Sequence, residues 1–224
     1  GVIEGATIRN SSAKVTASGA LVNTSLALGA GTQAIQRIGY IDASKNNINN
    51  TQATVSIGSA ANIGAAVAGS AVARQEIGTI IAEGEIINSS VNVKASNITN
   101  VSGEIAGSSN AIQEVGTINA KGNVSDSSVS VNTLMGTVEN VAAGLASSSA
   151  AKQEVGTINA AGNVSGSSVL VTALIGDLKN VAAGLASSSA ATQEIGRIDS
   201  QGNVLNSKVK VMLFGEVLNA SASL

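Results

Sequence analysis

The sequence predicts an all-β fold, a β-solenoid built as a cross-β-like stack of six repeats. Three observations predict it: a repeat of about 39 residues along the whole chain, period-two alternation of apolar residues within each copy, and frequent turn residues without a single Pro. The repeat is set by Gly-x-Ile, at Gly1-Val2-Ile3, Gly39-Tyr40-Ile41, Gly78-Thr79-Ile80, Gly116-Thr117-Ile118, Gly156-Thr157-Ile158 and Gly196-Arg197-Ile198. Successive starts lie 38, 39, 38, 40 and 40 residues apart, giving one solenoid domain of copies 1–38, 39–77, 78–115, 116–155, 156–195 and a truncated 196–224. Units of this length bury their apolar faces only by stacking on their neighbours.

Each copy follows one grammar. An apolar residue precedes a turn-type residue by two at Ile8-x-Asn10, Ile48-x-Asn50, Ile86-x-Asn88, Val124-x-Asp126, Val164-x-Gly166 and Val204-x-Asn206. An alternating pair follows, from Ala13-x-Val15 and Ala53-x-Val55 through Val91-x-Val93, Val129-x-Val131, Val169-x-Val171 and Val209-x-Val211. β-branched residues alternating over a short run read as strands. With 25 Gly and no Pro, every strand is free to donate its N–H groups to the next layer.

An Asn then returns in all six copies, at Asn23, Asn62, Asn100, Asn140, Asn180 and Asn219, and a Gln in five, at Gln36, Gln75, Gln113, Gln153 and Gln193. Stacked in register, these positions form side-chain amide ladders of the kind that stabilise cross-β stacks; alternatively, each Asn supports a left-handed turn on its own. The Ile of each Gly-x-Ile (Ile3, Ile41, Ile80, Ile118, Ile158, Ile198) and the apolar residue five beyond each Asn (Leu28, Val67, Ile105, Leu145, Leu185, Leu224) are expected in the core. One layer per copy is preferred over two rungs of about 20 residues, at which Gly116-Thr117-Ile118 and Gly136-Thr137-Val138 hint, because two rungs would part the Asn residues by two strand spacings.

The same register stacks Glu76, Glu114, Glu154 and Glu194, and like charges one spacing apart destabilise a sheet unless paired, screened or protonated. The preferred expectation is a solvated acidic edge balanced by Arg74 and Lys152; the alternative is a Ca²⁺ or low-pH switch that promotes assembly.

Composition points to an extracellular structural chain. Net charge is −2, and the only aromatic residues are Tyr40 and Phe214. With no His and no Cys, the usual general base, thiol nucleophile and disulfide framework are missing, so an enzyme is not expected. Asp42, Asn119, Asn159 and Asp199 share one repeat position and read as interchangeable turn residues rather than catalytic acids. The sequence has neither aromatic platforms nor a basic stripe for nucleic acid, and no apolar run long enough to span a bilayer. No signal peptide is evident, and a start on the first residue of a repeat suggests processing or trimming.

Segments such as 147–160 resemble the repeats of bacterial functional amyloids. Ser147, Gln153, Gly156 and Asn159-Ala160 echo the Ser, Gln, Gly and Asn of curli subunits, although here Gly follows Gln by three residues and the period is nearly double. The longer Asn/Gln/Ala/Gly-rich repeats of Fap fibre subunits of pseudomonads are closer in length and composition. The resemblance implies a secreted subunit that self-assembles end to end into a biofilm-matrix or cell-surface fibre, its partner being itself. Exposed sheet edges at both ends lead to the same head-to-tail homopolymer on physical grounds. The runner-up is a stalk or head segment of a trimeric adhesin or phage fibre. Ice binding would use a regular Thr array, of which Thr79, Thr117 and Thr157 are the only aligned members.

Overall fold

The computed structural model describes residues 1–29, 31–133, 136–144, 148–173, 177–184 and 188–223, and these contain strands and turns but no helix. Every strand pairs in parallel with its equivalent one repeat away: Gln75 with Gln113 and then Gln153, Asn62 with Asn100 and then Asn140. One copy therefore makes one layer, and the two-rung alternative falls. Gly136 lies between two segments of a strand rather than starting a second rung.

Each layer has three strands. A bent strand comes first (Thr32–Ala43, Ala71–Ala82, Ser109–Ala120, Ser149–Ala160, Ser189–Ser200). A two-residue strand follows (for example Ile48–Asn49 and Ile86–Ile87), and a long return strand closes the layer (Ser12–Ala27, Gln52–Ala68, Ser90–Ala106). In the last three layers the return strand is split, as at Ser128–Thr133 and Val138–Gly144. The Ser90↔Ser128 partnership becomes Ile98↔Val138 across that split, so two extra residues there account for the change in repeat spacing from 38 to 40.

The glycine that starts each copy sits inside the bent strand and bends it. Gly39, Gly78, Gly116, Gly156 and Gly196 have φ of +60 to +65°, a region that favours glycine. A Cβ at Gly116 would lie 2.2 Å from Cγ2 of Val131, and the other four meet the equivalent valine as closely. The bend breaks the strand's alternation, so Ile77 before it and Ile80 after it both face inward.

The bend divides each layer into two lobes. The wide lobe is enclosed by the second half of the bent strand, the short strand and the start of the return strand. Its core stacks Ile41, Ile80, Ile118 and Ile158 against Ile48, Ile86, Val124 and Val164 and the alternating valines of the return strand. Ile3 and Ile198, in the end layers, are partly buried against it. The corner after the short strand needs a left-handed residue, supplied by Asn10, Asn50, Asn88, Asp126, Gly166 and Asn206, with φ from +48 to +58°. These are the turn asparagines; the Asn23–Asn219 set lies in strands.

In the narrow lobe, the first half of the bent strand faces the second half of the return strand. The two approach so closely that small residues fill the gap, with Ala111, Ala142, Ala151 and Ala182 forming a separate small core. The apolar residues expected in the core five positions beyond Asn are outside instead: Leu28, Val67 and Ile105 are 84%, 41% and 49% exposed. Five is an odd number of steps along an unbroken strand, so an inward Asn62 places Val67 on the opposite face. Leu145, Leu185 and Leu224 lie outside the described residues.

Candidate functional site

Two arrangements run the length of the stack: the amide ladders inside the narrow lobe and a charged crease outside the bend. In the first, Asn23 Nδ2 donates to Asn62 Oδ1 at 2.8 Å, and the chain continues through Asn100, Asn140 and Asn180 to Asn219 at 2.8–2.9 Å. Each Nδ2 also reaches across the lobe: Asn140 donates to Ala111 O at 3.1 Å and Lys152 O at 3.0 Å. Asn62, Asn100, Asn140 and Asn180 are fully buried.

The Gln ladder runs the opposite way. Gln75, Gln113, Gln153 and Gln193 each donate from Nε2 to Oε1 of the Gln in the preceding layer, at 2.7, 3.0, 2.7 and 2.6 Å. Gln113 and Gln153 also donate to the return-strand carbonyls of Glu139 and Lys179. Asn thus ties the return strand to the bent strand, and Gln ties it back. Every interior ladder amide, Asn62 to Asn180 and Gln75 to Gln153, is both donor and acceptor along its column, which gives each ladder a direction.

A third ladder escaped the sequence reading. Thr51, Ser89, Ser127 and Ser167 are buried just after the left-handed corner. Ser89 Oγ accepts the Thr51 N–H at 3.3 Å and donates to Ile87 O at 2.9 Å, and Ser127 and Ser167 repeat this. The signal was present: Ser or Thr follows the corner residue in all six copies, from Ser11 to Ser207.

On the outer side, the bend at each glycine is concave, so the residues flanking it sink into a crease. The Glu column is therefore buried rather than a solvated edge: Glu76, Glu114 and Glu154 are 0%, 8% and 5% exposed. Cations balance it, as expected. Arg37 Nε lies 2.9 Å from Glu76 Oε2, Arg74 bonds Glu76 and reaches Glu114 Oε1 at 3.3 Å, Lys152 Nζ lies 2.5 Å from Glu154, and Arg197 pairs with Glu194. The Arg37 guanidinium stacks 4.5 Å over the Tyr40 ring, whose hydroxyl donates to Asp42 at 3.2 Å.

Glu114 is the least satisfied member. Its Oε2 has no hydrogen-bond partner. Burial pushes its carboxyl up to about 7; Glu154 and Glu76 add to the rise, and Arg74 and Lys152 oppose it. Thr79, Thr117 and Thr157 line the crease with no exposed surface, so they present no flat array to ice. Asp42, Asn119, Asn159 and Asp199 are strand residues in one outward column, not turn residues, and Asn159 Nδ2 donates to Asn119 Oδ1 at 2.9 Å. Among the described residues, no group of three or more acidic side chains is arranged to hold a metal ion.

One further buried carboxylate interrupts the narrow lobe. Glu104 occupies an inward column whose neighbours are Ala66 and Gly144. It is 6% exposed and neither oxygen meets a side-chain partner; burial raises its pKa, and the nearby Ala106 backbone N–H opposes the rise.

The strands, register and ladders define a parallel β-solenoid with one layer per repeat. No family model, no curated protein and no solved structure matches this chain.

Proposed function

We propose that the chain is a structural subunit of an extracellular filament, such as a biofilm-matrix or cell-surface fibre, and that it elongates by stacking solenoid layers end to end. The observation that carries this reading is the polarity of the ladders. From Asn62 to Asn180 each buried amide accepts from the layer on one side and donates to the layer on the other, in register with its parallel strand. A layer supplied by a further copy in the same register continues that Asn chain and the parallel pairing of the return strand. Such a contact is heterologous and does not close on itself, so it propagates.

Cover in the wide-lobe core comes from the neighbouring layers. Val209 and Val211 are 44% and 39% exposed, whereas their equivalents one layer below, Val169 and Val171, are 2% and 1% exposed. A layer of the same cross-section buries them. The test is a sedimentation assay on the 224-residue chain and on Val211→Lys, which puts an ammonium into the joint. Filaments pelleted from the parent chain and at least a tenfold smaller pellet from the variant are expected; equal pellets, or no filaments from the parent, would overturn the reading.

A further inference from the structure

The outer face of the return strand differs sharply between its two halves. The half over the wide lobe is polar, with columns such as Thr54-Asn92-Ser130 and Ser56-Lys94-Asn132. The half over the narrow lobe is apolar. One outward column holds Thr24, Ile63, Val101, Val141 and Val181. The next holds Leu26, Ala65, Gly103, Ala143 and Ala183, and beyond it Leu28, Val67 and Ile105 form a ridge. Ridge and small-residue column border a hollow of about 590 Å³. Among the described residues, charge reaches this face at its margin, where Glu139 and Lys179 are adjacent in the column begun by Val22 and Ala61, and at the floor of the hollow, which Glu104 helps to line.

We infer that this face pairs with the same face of a second copy, the two solenoids lying side by side and parallel. The columns are self-complementary. A two-fold axis parallel to the stack, between the Val101 and Gly103 columns, sets the β-branched column of each copy against the small column of the other: Val141 against Ala143, and Val101 against Gly103. The same operation brings Val67 over Ala61 and Ile105 over Thr99, while at the first layer Leu28 meets Val22 and Leu26 meets Thr24. Interdigitated dry faces of this kind join sheets in steric zippers, and charge is depleted at the centre, as in protein interfaces generally.

Among the described residues the face spans about 20 Å along the strands in three layers and about 13 Å in the next two, at about 4.8 Å per layer. That is on the order of 400 Å² per copy, or about 800 Å² for a pair, the size of a weak, transient contact. Single copies therefore pair reversibly, and each further stacked layer adds to the contact. The pairing does not depend on end-to-end growth.

Gly103 makes the test clean, because a Cβ there meets no atom within 4 Å and its φ is not in the left-handed region. Sedimentation equilibrium is run from micromolar to millimolar concentration in the Val211→Lys background, which blocks stacking. The expected result is a reversible dimer that Gly103→Lys converts to monomer with unchanged circular dichroism, while Asn92→Lys, on the polar half, stays dimeric. A monomer at every concentration would overturn the inference, as would a Gly103→Lys chain that pairs equally well. A monomer that instead floats with phosphatidylcholine vesicles would also overturn it and assign the face to a lipid surface. Without the stacking block, Gly103→Lys should halve the width of filaments while leaving their growth intact, which separates side-by-side pairing from end-to-end addition.

Discussion

The two lobes of each layer are built on opposite principles. In the wide lobe the columns are chemically loose: Ala53 gives way to Val91 and Val129, and Ile48 and Ile86 to Val124 and Val164. Hydrophobic burial is non-directional, so any apolar side chain of suitable volume serves. In the narrow lobe Asn returns without exception, because each amide has to donate up the stack, donate across the lobe and accept from below. Only a side chain with two donors and an acceptor at that reach satisfies all three. Variation along a column thus reports the directionality of the force acting there.

Breaking the narrow lobe should cost most. Asn140→Leu removes a fully buried amide, strands Asn180 Oδ1, withdraws the side-chain donor from the carbonyls of Ala111 and Lys152, and takes from Asn100 Nδ2 one of its three acceptors. A loss of about 4 kcal/mol is expected from stranded buried polar groups. The matching cut in the wide lobe, Val131→Ala, should cost about 2 kcal/mol. Urea unfolding of both variants measures the difference, and a Val131→Ala loss equal to or above that of Asn140→Leu would contradict the contrast.

The hinge between the lobes is next. Gly116→Ala adds a Cβ that collides with Val131 at a left-handed position, for an expected loss of about 3 kcal/mol. The same substitution at Gly103, which has neither constraint, should leave the thermal midpoint nearly unchanged.

The crease outside the hinge should make the fold acid-stabilised. Glu114 titrates near 7 in the fold against an ordinary value of 4.5, so folding favours its protonated form. Stability should rise as pH falls from 8, by on the order of 2–3 kcal/mol, and level off below about 4.5. The other charged groups facing it are Glu76 and Arg74 from one layer and Glu154 and Lys152 from the next. Glu114→Gln should flatten the dependence and stabilise the chain at pH 8; denaturant midpoints at pH 5 and pH 8 give the answer.

The smallest effect should be a gain. Glu104→Ala restores the pattern of Ala66 and removes a buried carboxylate that has no side-chain partner, so stability should increase by about 1 kcal/mol at neutral pH. A loss on thermal melting would mean that the carboxylate has a structural partner.

Much of this contrast was legible in the sequence. The repeat set the stack, the alternating valines set the wide-lobe core, and the spacing of Asn and Gln set the ladders and one layer per copy. Exposure was harder to read, because it depends on strand parity between distant anchors. Leu28, Val67 and Ile105 match the pattern of core residues, yet an odd number of steps turns them outward. The burial of Glu76, Glu114 and Glu154 was hidden for a different reason. It follows from the direction in which a left-handed glycine bends the strand, and local sequence names the glycine without naming the concave side. The Asp42–Asp199 column misled because its Asp and Asn are common turn residues, although the in-register ladder holds them in a strand.

The most direct test of the whole arrangement is cryo-electron microscopy of filaments grown from the 224-residue chain at neutral pH. Six layers at the usual parallel strand spacing predict an axial rise of roughly 29 Å per chain, together with a layer line near 4.8 Å. A rise near 58 Å would contradict one layer per repeat, and the absence of filaments would contradict assembly by stacking.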